Sequence, residues 1–398
     1  MESSRLETGA RSLPAMPWAL LAAACIGTFA VTASGNSRAP FLIDMARDLD
    51  VGLVMVANLF GLTSIAWGIT SFLAGSASDR WGRRPFLIGG PIALALSLIA
   101  VANSASYWSV TLWVVVAGGC SGVYTGVSLA EVSARVADWQ RSRALGWVMS
   151  GQSLTLLIGV PLAAWIGASI GWRGVHLCVA GLAVVAALGL FVTTEPGERA
   201  GRSGAGTSRP KLRAALTAPV VRLLACVVAE RVGFGFAAVY YATFLQMIHG
   251  LSLRAVALPL AIFAAGNILG TLLGGQLGDR FGNRRLSFAV AIVASGVVAI
   301  FLFSWHGSLA ATVALGFAYA LCSALARPPL MASLADVPAS VRGTVMGLNS
   351  TCASVGWLAA AAIGGWMLTG VGFAGFGILA AILSVAAALL ALRGPGPR

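Results

Sequence analysis

Long apolar stretches, separated by short polar segments, run along almost the whole chain. A helix that crosses a bilayer needs about 20 mostly apolar residues, and twelve stretches approach or exceed that length. They cover residues 17–42, 52–77, 86–103, 108–133, 144–169, 174–193, 219–247, 255–277, 286–304, 309–335, 343–368 and 371–392. The pattern predicts twelve transmembrane helices and leaves no segment of domain size to fold in water.

Composition agrees with this interpretation. Hydrophobic residues make up 58% of the chain and charged residues only 10%, whereas a soluble domain has about 25% charged residues. A lipid bilayer is therefore the expected surrounding. The first apolar stretch is too long for the core of a secretory signal peptide, and we expect it to remain as an uncleaved helix.

The distribution of basic residues predicts the topology. If the N-terminus is cytoplasmic, twenty of the 26 basic residues fall in cytoplasmic segments. This bias is the positive-inside pattern of membrane proteins, and it places both termini in the cytoplasm of a multi-pass protein in a bacterial-type inner membrane. The net charge of +13 therefore reports topology, and nucleic acid is not an expected partner.

Cysteine and histidine give no sign of a metal or redox site. All six cysteines lie inside predicted helices and none forms a Cys-x-x-Cys pair, so we expect them to behave as small apolar residues. His176, His249 and His306 lie near the predicted outer ends of helices. Exposed boundary positions are the expectation for all three, with a pH sensor as the alternative.

One polar motif occurs twice. Gly75-Ser-Ala-Ser-Asp79-Arg80-Trp-Gly82-Arg83-Arg84 follows the second stretch, and Gly275-Gln-Leu-Gly-Asp279-Arg280-Phe-Gly282-Asn-Arg284-Arg285 follows the eighth, 200 residues later. Small residues at four-residue spacing lead into both copies, as expected where helices pack closely in lipid. They are Ala66, Thr70, Ala74 and Ser78, and then Gly266, Gly270, Gly274 and Gly278.

The repeat divides the chain into two related six-helix halves. The predicted organisation is a cytoplasmic tail (1–16), an N-terminal half (17–193), a basic Gly-, Ser- and Pro-rich linker (194–218), a C-terminal half (219–392) and a second cytoplasmic tail (393–398). The linker composition is typical of a flexible connection.

The doubled motif resembles the loop between helices two and three of the major facilitator superfamily. The resemblance implies an all-α membrane protein of twelve helices in two pseudo-symmetric bundles. In that family the loop is taken to latch the halves together in one state, a role that falls here on Asp79, Arg80, Arg83 and Arg84. It falls more weakly on the second copy, where Asn283 replaces a basic residue. The motif glycines are expected to permit a tight turn.

The fifth stretch narrows the resemblance. Its run from Gly151 through Gly159 and Pro161 resembles the Gly/Pro-rich fifth helix of drug:proton antiporters, especially arabinose- and chloramphenicol-efflux-like permeases. Val160 separates the second glycine from the proline, which departs from the usual pattern. Many members also carry an arginine in the middle of helix four, and none is present here, so any coupling must use other groups.

Ionisable residues inside the predicted helices are functional candidates because they are costly in lipid. They are Arg38, Glu131, Glu230, Arg231 and Arg327. They fall on helices one, four, seven and ten, which line the central cavity in the family. Helix rise puts Glu230 about 15 Å and Arg327 about 12 Å from the same membrane face. We hypothesise that Glu230 is the proton-coupling carboxylate and Arg327 its partner; a permanent structural ion pair is the alternative.

The other candidates have two interpretations each. Arg231 points about 100° away from Glu230, either into the cavity or toward neighbouring helices. Arg38 is expected to extend toward the membrane surface, with contact to an anion as the alternative. Glu131 either lines the cavity or reaches water. For Gln152, Tyr240, Tyr241 and Asn267, interhelical packing is the expectation and hydrogen bonds to a substrate are the alternative. Asn36 lies beside Arg38 at the predicted outer mouth of the cavity and is a further candidate to contact the substrate.

The sequence lacks the motif with which an ATP-driven pump binds its nucleotide. The only lysine is Lys211, in the linker, so the phosphate-binding Gly-x-x-x-x-Gly-Lys loop of an ATP-driven pump cannot form. No catalytic constellation, metal site or cofactor is indicated. The sequence predicts a transporter, functional as a monomer, that exports a small amphipathic or hydrophobic compound in exchange for protons. Uptake of a small organic anion by cavity arginines, as a symporter or uniporter, is the alternative.

Overall fold

The computed structural model describes residues 16–137, 140–194, 216–280, 283–305 and 307–393, and twelve long helices account for most of them. The first four are α1 (Trp18–Asn36), α2 (Leu53–Trp81), α3 (Arg84–Ala102) and α4 (Tyr107–Arg135). The last six are α7 (Ala218–His249), α8 (Leu253–Arg280), α9 (Arg284–Ser304), α10 (Leu309–Ala335), α11 (Ala339–Gly370) and α12 (Ala374–Leu392).

Between them, α5 and α6 form one long apolar run. It begins as Arg141–Leu154, passes through a π-helical turn at Thr155–Gly159 and continues as Val160–Thr193. Gly171, with φ 70° and ψ 175°, interrupts the last segment, so α5 comprises residues 141–170 and α6 residues 172–193. Eleven described segments are long and apolar enough to span a membrane, and one of them, Arg143–Thr193, is long enough to cross twice at 51 residues. The all-α, twelve-helix prediction is confirmed.

The first helix, α1, is shorter than the predicted stretch 17–42. Helix α1 ends at Asn36, and a 3₁₀ turn (Ala39–Phe41) and a short helix (Leu42–Asp48) follow. Pro40 explains the break, because its ring would clash with the carbonyl of residue 36 and it has no N–H to donate. The chain therefore bends just after α1, which determines where Arg38 lies.

The doubled motif is mostly helical. Its first half continues α2 to Trp81, and the second copy continues α8 to Arg280. Gly82 alone in the first copy takes a left-handed conformation, with φ 85°. Gly75 and Gly275 lie inside helices instead, so the expectation that both glycines of the first copy shape a tight turn is wrong for Gly75.

Close helix pairs hold each half together. Helix α2 packs on α4, and α8 packs on α10. A Cβ atom added to Gly118, Gly122 or Gly126 of α4 would lie within 3.0 Å of an α2 carbonyl oxygen. In the other pair the glycines lie on α8 instead, and a Cβ on any of them would approach α10 carbonyl oxygens as closely; they are Gly266, Gly270 and Gly274. Both halves therefore have the same close helix contact, but the glycines that permit it lie on α4 in the N-terminal half and on α8 in the C-terminal half.

The two halves share a buried apolar cluster at only one end of the described bundle. We call the end that carries the α2–α3 turn at residues 82–83 the signature end, and the opposite end the far end. At the far end one buried apolar cluster includes residues of both halves, such as Phe41 and Phe244. The clusters nearer the signature end each belong to one half.

Polar contacts reinforce the closure at the far end. Gln246 Nε2 donates to the Pro40 carbonyl oxygen at 2.9 Å, and Arg254 Nη2 donates to Ser169 Oγ at 3.2 Å. Each bond joins the two halves. The bundle is therefore closed at the far end, and the contact between the halves that the described residues make through apolar clusters is concentrated there.

Several predictions of the sequence lie outside the described residues. These are the N-terminal tail to residue 15, linker residues 195–215, Gly282, His306 and residues 394–398, together with the side chains of Asp79, Asp279 and Arg280. Among described residues, the expectation of an exposed His176 is wrong. Its ring is 1% exposed, and its Nδ1 lies 2.7 Å from the Trp172 carbonyl oxygen.

Candidate functional site

A cavity of about 590 Å³ lies between the two halves. Its described lining residues come from α1, α2, α4, α5, α7, α8, α10 and α11, and from Arg38 just after α1, with none from α3, α6, α9 or α12. Large aromatic side chains form much of the wall; they are Phe60, Trp67, Phe234, Tyr241, Phe263 and Trp357. A concave, largely apolar cleft with a few polar groups is the usual form of a small-molecule site.

A carboxylate held by two arginines lies beside the cavity. Arg327 Nε donates to Glu230 Oε1 at 2.8 Å, and Arg231 Nε lies 3.3 Å from Oε2 without the geometry of a hydrogen bond. The Glu230 side chain is 1% exposed, whereas those of Arg327 and Arg231 are 18% and 22% exposed. The two groups that helix rise placed at one depth are therefore in contact.

The position of Arg231 around α7 does not by itself predict where its side chain lies. The neighbouring backbone positions diverge around α7, but the Arg231 side chain is long enough to return to Glu230 while it also lines the cavity. Arg327 is held from the other side, since its guanidinium carbon lies 4.3 Å from the centre of the Phe234 ring. The cation–π contact and the ion pair together fix its position.

Arg38 does not extend to the membrane surface as expected. It is 1% exposed and lines the cavity. Its Nη2 donates to Thr63 Oγ1 at 2.8 Å, its Nε donates to the Gly35 carbonyl oxygen at 3.2 Å, and its guanidinium carbon lies 4.9 Å from the centre of the Phe60 ring. The bend after α1 turns this side chain inward, and no sequence signal indicated Thr63 or Phe60 as its supports.

Four of the predicted polar candidates line the cavity; they are Asn36, Gln152, Tyr241 and Asn267. The amide of Asn267 is 5% exposed, and its Nδ2 has no acceptor among the described residues. The Tyr241 hydroxyl lies 3.4 Å from the Thr312 carbonyl oxygen, a long bond that joins α7 to α10. Asn267 is therefore the better placed of the two to bind a ligand.

Two predicted cavity residues lie elsewhere. Tyr240 is buried between α7 and α11, where its hydroxyl donates to the Ala361 carbonyl oxygen at 2.7 Å. Glu131 is 8% exposed at the signature end of α4, where it accepts from Arg135 Nε at 2.9 Å and lies 3.6 Å from Arg83 Nη1. Neither lines the cavity, because helix rotation and local ion pairing direct both side chains into helix contacts.

Three arginines of the doubled motif, Arg83, Arg84 and Arg284, contact their own halves. Arg83 Nη1 donates to the Ala130 carbonyl oxygen at 3.2 Å, and Arg84 Nη2 donates to the Phe191 carbonyl oxygen at 3.2 Å. In the second copy, Arg284 Nη1 donates to Asp336 Oδ2 at 2.7 Å. These bonds tie each α2–α3 or α8–α9 connection to a neighbouring helix end.

The Gly/Pro run of α5 packs closely on α1. A Cβ added to Gly151 would meet the backbone of α1 at Cys25, and one added to Gly159 would lie 2.9 Å from the Phe29 ring. The π turn at Thr155–Gly159 directly precedes Pro161, and the Val160 N–H reaches back to the Thr155 carbonyl oxygen. Pro161 removes a donor from the ladder, which favours such a local widening of the helix.

Comparison with known proteins assigns the family. The sequence profile of the Major Facilitator Superfamily matches residues 24–267 and 223–398. The chain is similar to the transcription regulatory protein OpdE of Pseudomonas aeruginosa, with 28% identity over 64% of each chain. It is also similar to the chloramphenicol resistance protein of Streptomyces lividans, with 28% identity over 61% of this chain and 62% of the relative. The matched region thus spans somewhat less than two thirds of these two relatives.

Two further similarities cover nearly the whole chain. The inner membrane transport protein YdhP of Escherichia coli O157:H7 is 26% identical over 93% of this chain and 94% of its own length. The crystal structure of a bacterial homologue of the human lysosomal transporter Spinster, in an inward-facing and unoccupied conformation, matches with a TM-score of 0.69 at 15% identity, over 95% of this chain and 94% of that one.

The sequence profile and the fold agree, and membership implies a lipid bilayer and a small-molecule substrate as partners. The protein is a transporter and not an enzyme. The chain belongs to the Major Facilitator Superfamily, as a multi-pass membrane transporter of its drug-efflux-like subgroup.

Proposed function

We propose that this protein exports a small amphipathic compound across a bacterial inner membrane in exchange for protons. The observation that carries the proposal is Glu230, a carboxylate 1% exposed at the cavity wall and held by Arg327 at 2.8 Å. A carboxylate in such a position can bind a proton in one state and release it in another. The similarity to a chloramphenicol resistance protein supports export as the direction.

The arrangement of the halves supports alternating access around this site. Transporters of this type move their halves about a binding site near the middle of the membrane. With both termini in the cytoplasm, as the positive-inside bias predicts, the signature end is cytoplasmic and the closed far end is periplasmic. The cavity is then open to the cytoplasm, which is the state that takes up a compound for export.

The doubled motif is proposed to control this movement. Arg83 and Arg284 are bound within their own halves while the signature end is open. Closure of that end brings the α2–α3 and α8–α9 connections together, and it requires these arginines to exchange their hydrogen-bond partners. We assign the latch of the closed state to Asp79 with the motif arginines, and less to the second copy at Asp279.

Transport in inside-out membrane vesicles tests both direction and coupling. An acid-inside pH gradient is expected to drive uptake of labelled chloramphenicol or of labelled 1-naphthoate into these vesicles, which corresponds to export from the cell. Glu230→Gln should abolish the response to the gradient. Asp48→Asn is a matched control, because Asp48 forms an exposed pair with Arg173 at the far end, and it should leave transport intact.

Two results would contradict the proposal. If Glu230→Gln vesicles responded to the gradient as the wild type does, the Glu230–Arg327 pair would be structural. If right-side-out vesicles accumulated the compound instead, the second candidate function would apply: proton-linked uptake of a small organic anion. That candidate is favoured by one observation, the three arginines at the cavity.

A further inference from the structure

Arg38 is a buried cation without a balancing carboxylate. Its hydrogen bonds go to two neutral acceptors, the Gly35 carbonyl oxygen and Thr63 Oγ1, and among the described residues no acidic group pairs with it. Its remaining nitrogen, Nη1, has no hydrogen-bond acceptor. An uncompensated charge at membrane depth is costly, so its presence needs a reason that the folded chain does not itself supply.

The excess of positive charge extends to the opposite wall. Arg231 and Arg327 share the single carboxylate of Glu230. With Arg38, the described residues around the cavity therefore carry three guanidinium groups against one carboxylate, a net charge of +2. The lining itself contains no described aspartate or glutamate.

Hydrogen-bond donors are also in excess at the same place. Arg231 Nε, Arg327 Nη2 and Asn267 Nδ2 have no hydrogen-bond acceptor among the described residues. These three nitrogens are themselves buried, but the side chains of Arg231 and Arg327 are 22% and 18% exposed and both line the cavity, so each arginine has surface that a bound compound can reach. Planar guanidinium groups bind carboxylates and other oxyanions with two parallel bonds.

Apolar and aromatic surface separates these charged groups. Phe60 lies beneath Arg38 and Phe234 beneath Arg327. Phe234 in turn contacts Trp357 and Phe263, with ring centres 6.1 Å apart in each pair. A compound bound to the arginines would therefore place an apolar body, such as an aromatic ring, against these side chains.

We infer that the transported compound carries an acidic group, which Arg231 and Arg327 bind while the uncompensated charge of Arg38 acts on it from the N-terminal half. The inference rests on the proposed function in taking this cavity as the transport site, and it holds for either direction of transport. It excludes cationic amphipathic compounds as ligands, because the net charge of the site repels them.

Binding to the purified, full-length protein in detergent tests the class of ligand without a gradient. The probes are 1-naphthoate, 1-naphthamide and 1-naphthylmethylammonium, which share an aromatic body and differ in charge. Titration calorimetry at neutral pH should give an affinity for the carboxylate at least about tenfold above that of the amide, as expected for charge-assisted bonds. The ammonium compound should not bind. Equal affinities, preference for the ammonium compound or no saturable binding of the carboxylate would overturn the inference.

Variants test the residues. Arg231→Gln and Arg38→Gln should each weaken naphthoate binding about tenfold and leave naphthamide binding unchanged, whereas Arg38→Lys, which keeps the charge, should retain most of the preference. Arg222→Gln is the matched control, because Arg222 bonds the carbonyl oxygens of Ala218 and Arg393 at the signature end. A loss of naphthoate binding as large in the control as in the cavity variants would overturn the assignment, and thermal unfolding of each variant separates lost binding from lost folding.

The two proposals can fail separately. Naphthoate binding that depends on Arg38 and Arg231, without any proton-driven transport in vesicles, would contradict proton-coupled export and support the anion site. Proton-driven export of chloramphenicol together with equal binding of all three naphthyl probes would support proton-coupled export and contradict the anion site.

Discussion

At the scale of single residues, the described cavity walls carry one ion pair, Glu230 with Arg327, and two further guanidinium groups that no second carboxylate balances, those of Arg231 and Arg38. Glu230 is almost completely buried and accepts from Arg327, while Arg38 bonds only neutral groups. The free energy of a buried pair depends strongly on whether both partners are present, because removal of one leaves an unpaired charge. The contribution of the Glu230–Arg327 pair can therefore be measured from the free energy of unfolding, without a transport assay.

We predict that Arg327→Met lowers the free energy of unfolding by about 3 kcal/mol, because it leaves Glu230 buried with only the longer contact to Arg231. The double variant Glu230→Gln/Arg327→Met should recover much of that loss. The exposed pair of Asp48 and Arg173, with side chains 43% and 37% exposed, provides the comparison, and Arg173→Met should cost less than about 1 kcal/mol. Thermal unfolding in detergent measures all three, and equal losses for both arginine variants would contradict the prediction.

Depth along a helix could be predicted from the sequence, and direction around it could not. The rise per residue is nearly constant, so Glu230 and Arg327 could be placed at one level. The orientation of Tyr240 depends on how α7 rotates against α11, which apolar composition does not determine because nearly every face of these helices is apolar. The inward position of Arg38 differs from the expectation for another reason: the apolar pattern continues to residue 42, whereas Pro40 ends the helix α1 at Asn36.

At the scale of helices, apolar stretches located the spans but not their ends. The second and eighth stretches end in the sequence where lipid would end, yet α2 and α8 continue to Trp81 and Arg280. Helical hydrogen bonds do not require lipid, so a helix runs on until a residue such as Gly82 breaks it. The small-residue spacing of α8 did predict a close contact, and the equivalent contact in the N-terminal half uses glycines of α4 that the sequence analysis did not identify.

Gly270 tests the close contact between α8 and α10. A Cβ at this position would overlap the Leu321 carbonyl oxygen and crowd Ala324, whereas one at Gly275, on the same helix, would meet nothing within 4 Å. Gly270→Ala should therefore lower the free energy of unfolding by about 1–3 kcal/mol, since backbone atoms must move apart. Gly275→Ala should leave it unchanged or raise it slightly, because alanine favours helix. Similar losses of unfolding free energy for both variants would contradict the assignment of the loss to the contact between α8 and α10.

The arginines of the doubled motif make a second test at this scale. Arg83 bonds Ala130 and lies close to Glu131 at the end of α4. Arg83→Gln should accelerate hydrogen exchange at residues 130–135, because local opening becomes easier when a stabilising contact is lost. Exchange at residues 332–336 should be unaffected in that variant and should increase instead in Arg284→Gln. Faster exchange at residues 332–336 in Arg83→Gln, or at residues 130–135 in Arg284→Gln, would contradict the assignment of each arginine to its own half.

At the scale of the whole molecule, the closed far end, the open signature end and the positive cavity belong to one transport cycle. Arg83 and Arg284, one from each motif, lie at the signature end and bond to groups of their own halves. The cavity meanwhile offers an anion a site between the halves, next to the carboxylate proposed to carry the proton. Coupling therefore has an electrical consequence that neither the fold nor the family determines.

Exchange of one proton for one acidic compound moves two charges in the same electrical sense. Moving one elementary charge through a membrane potential of 100 mV changes the free energy by about 2.3 kcal/mol, and outward movement of an anion adds to inward movement of a proton. In inside-out vesicles without a pH gradient, a potassium diffusion potential set positive inside should therefore drive labelled 1-naphthoate inward, and reversal of the potential should stop it. Proton-linked uptake of the same anion would be electrically neutral and would not respond to either potential. Glu230→Gln should retain only the response that belongs to the anion, so a wild-type rate that equals the rate of this variant at every potential would contradict proton exchange at Glu230.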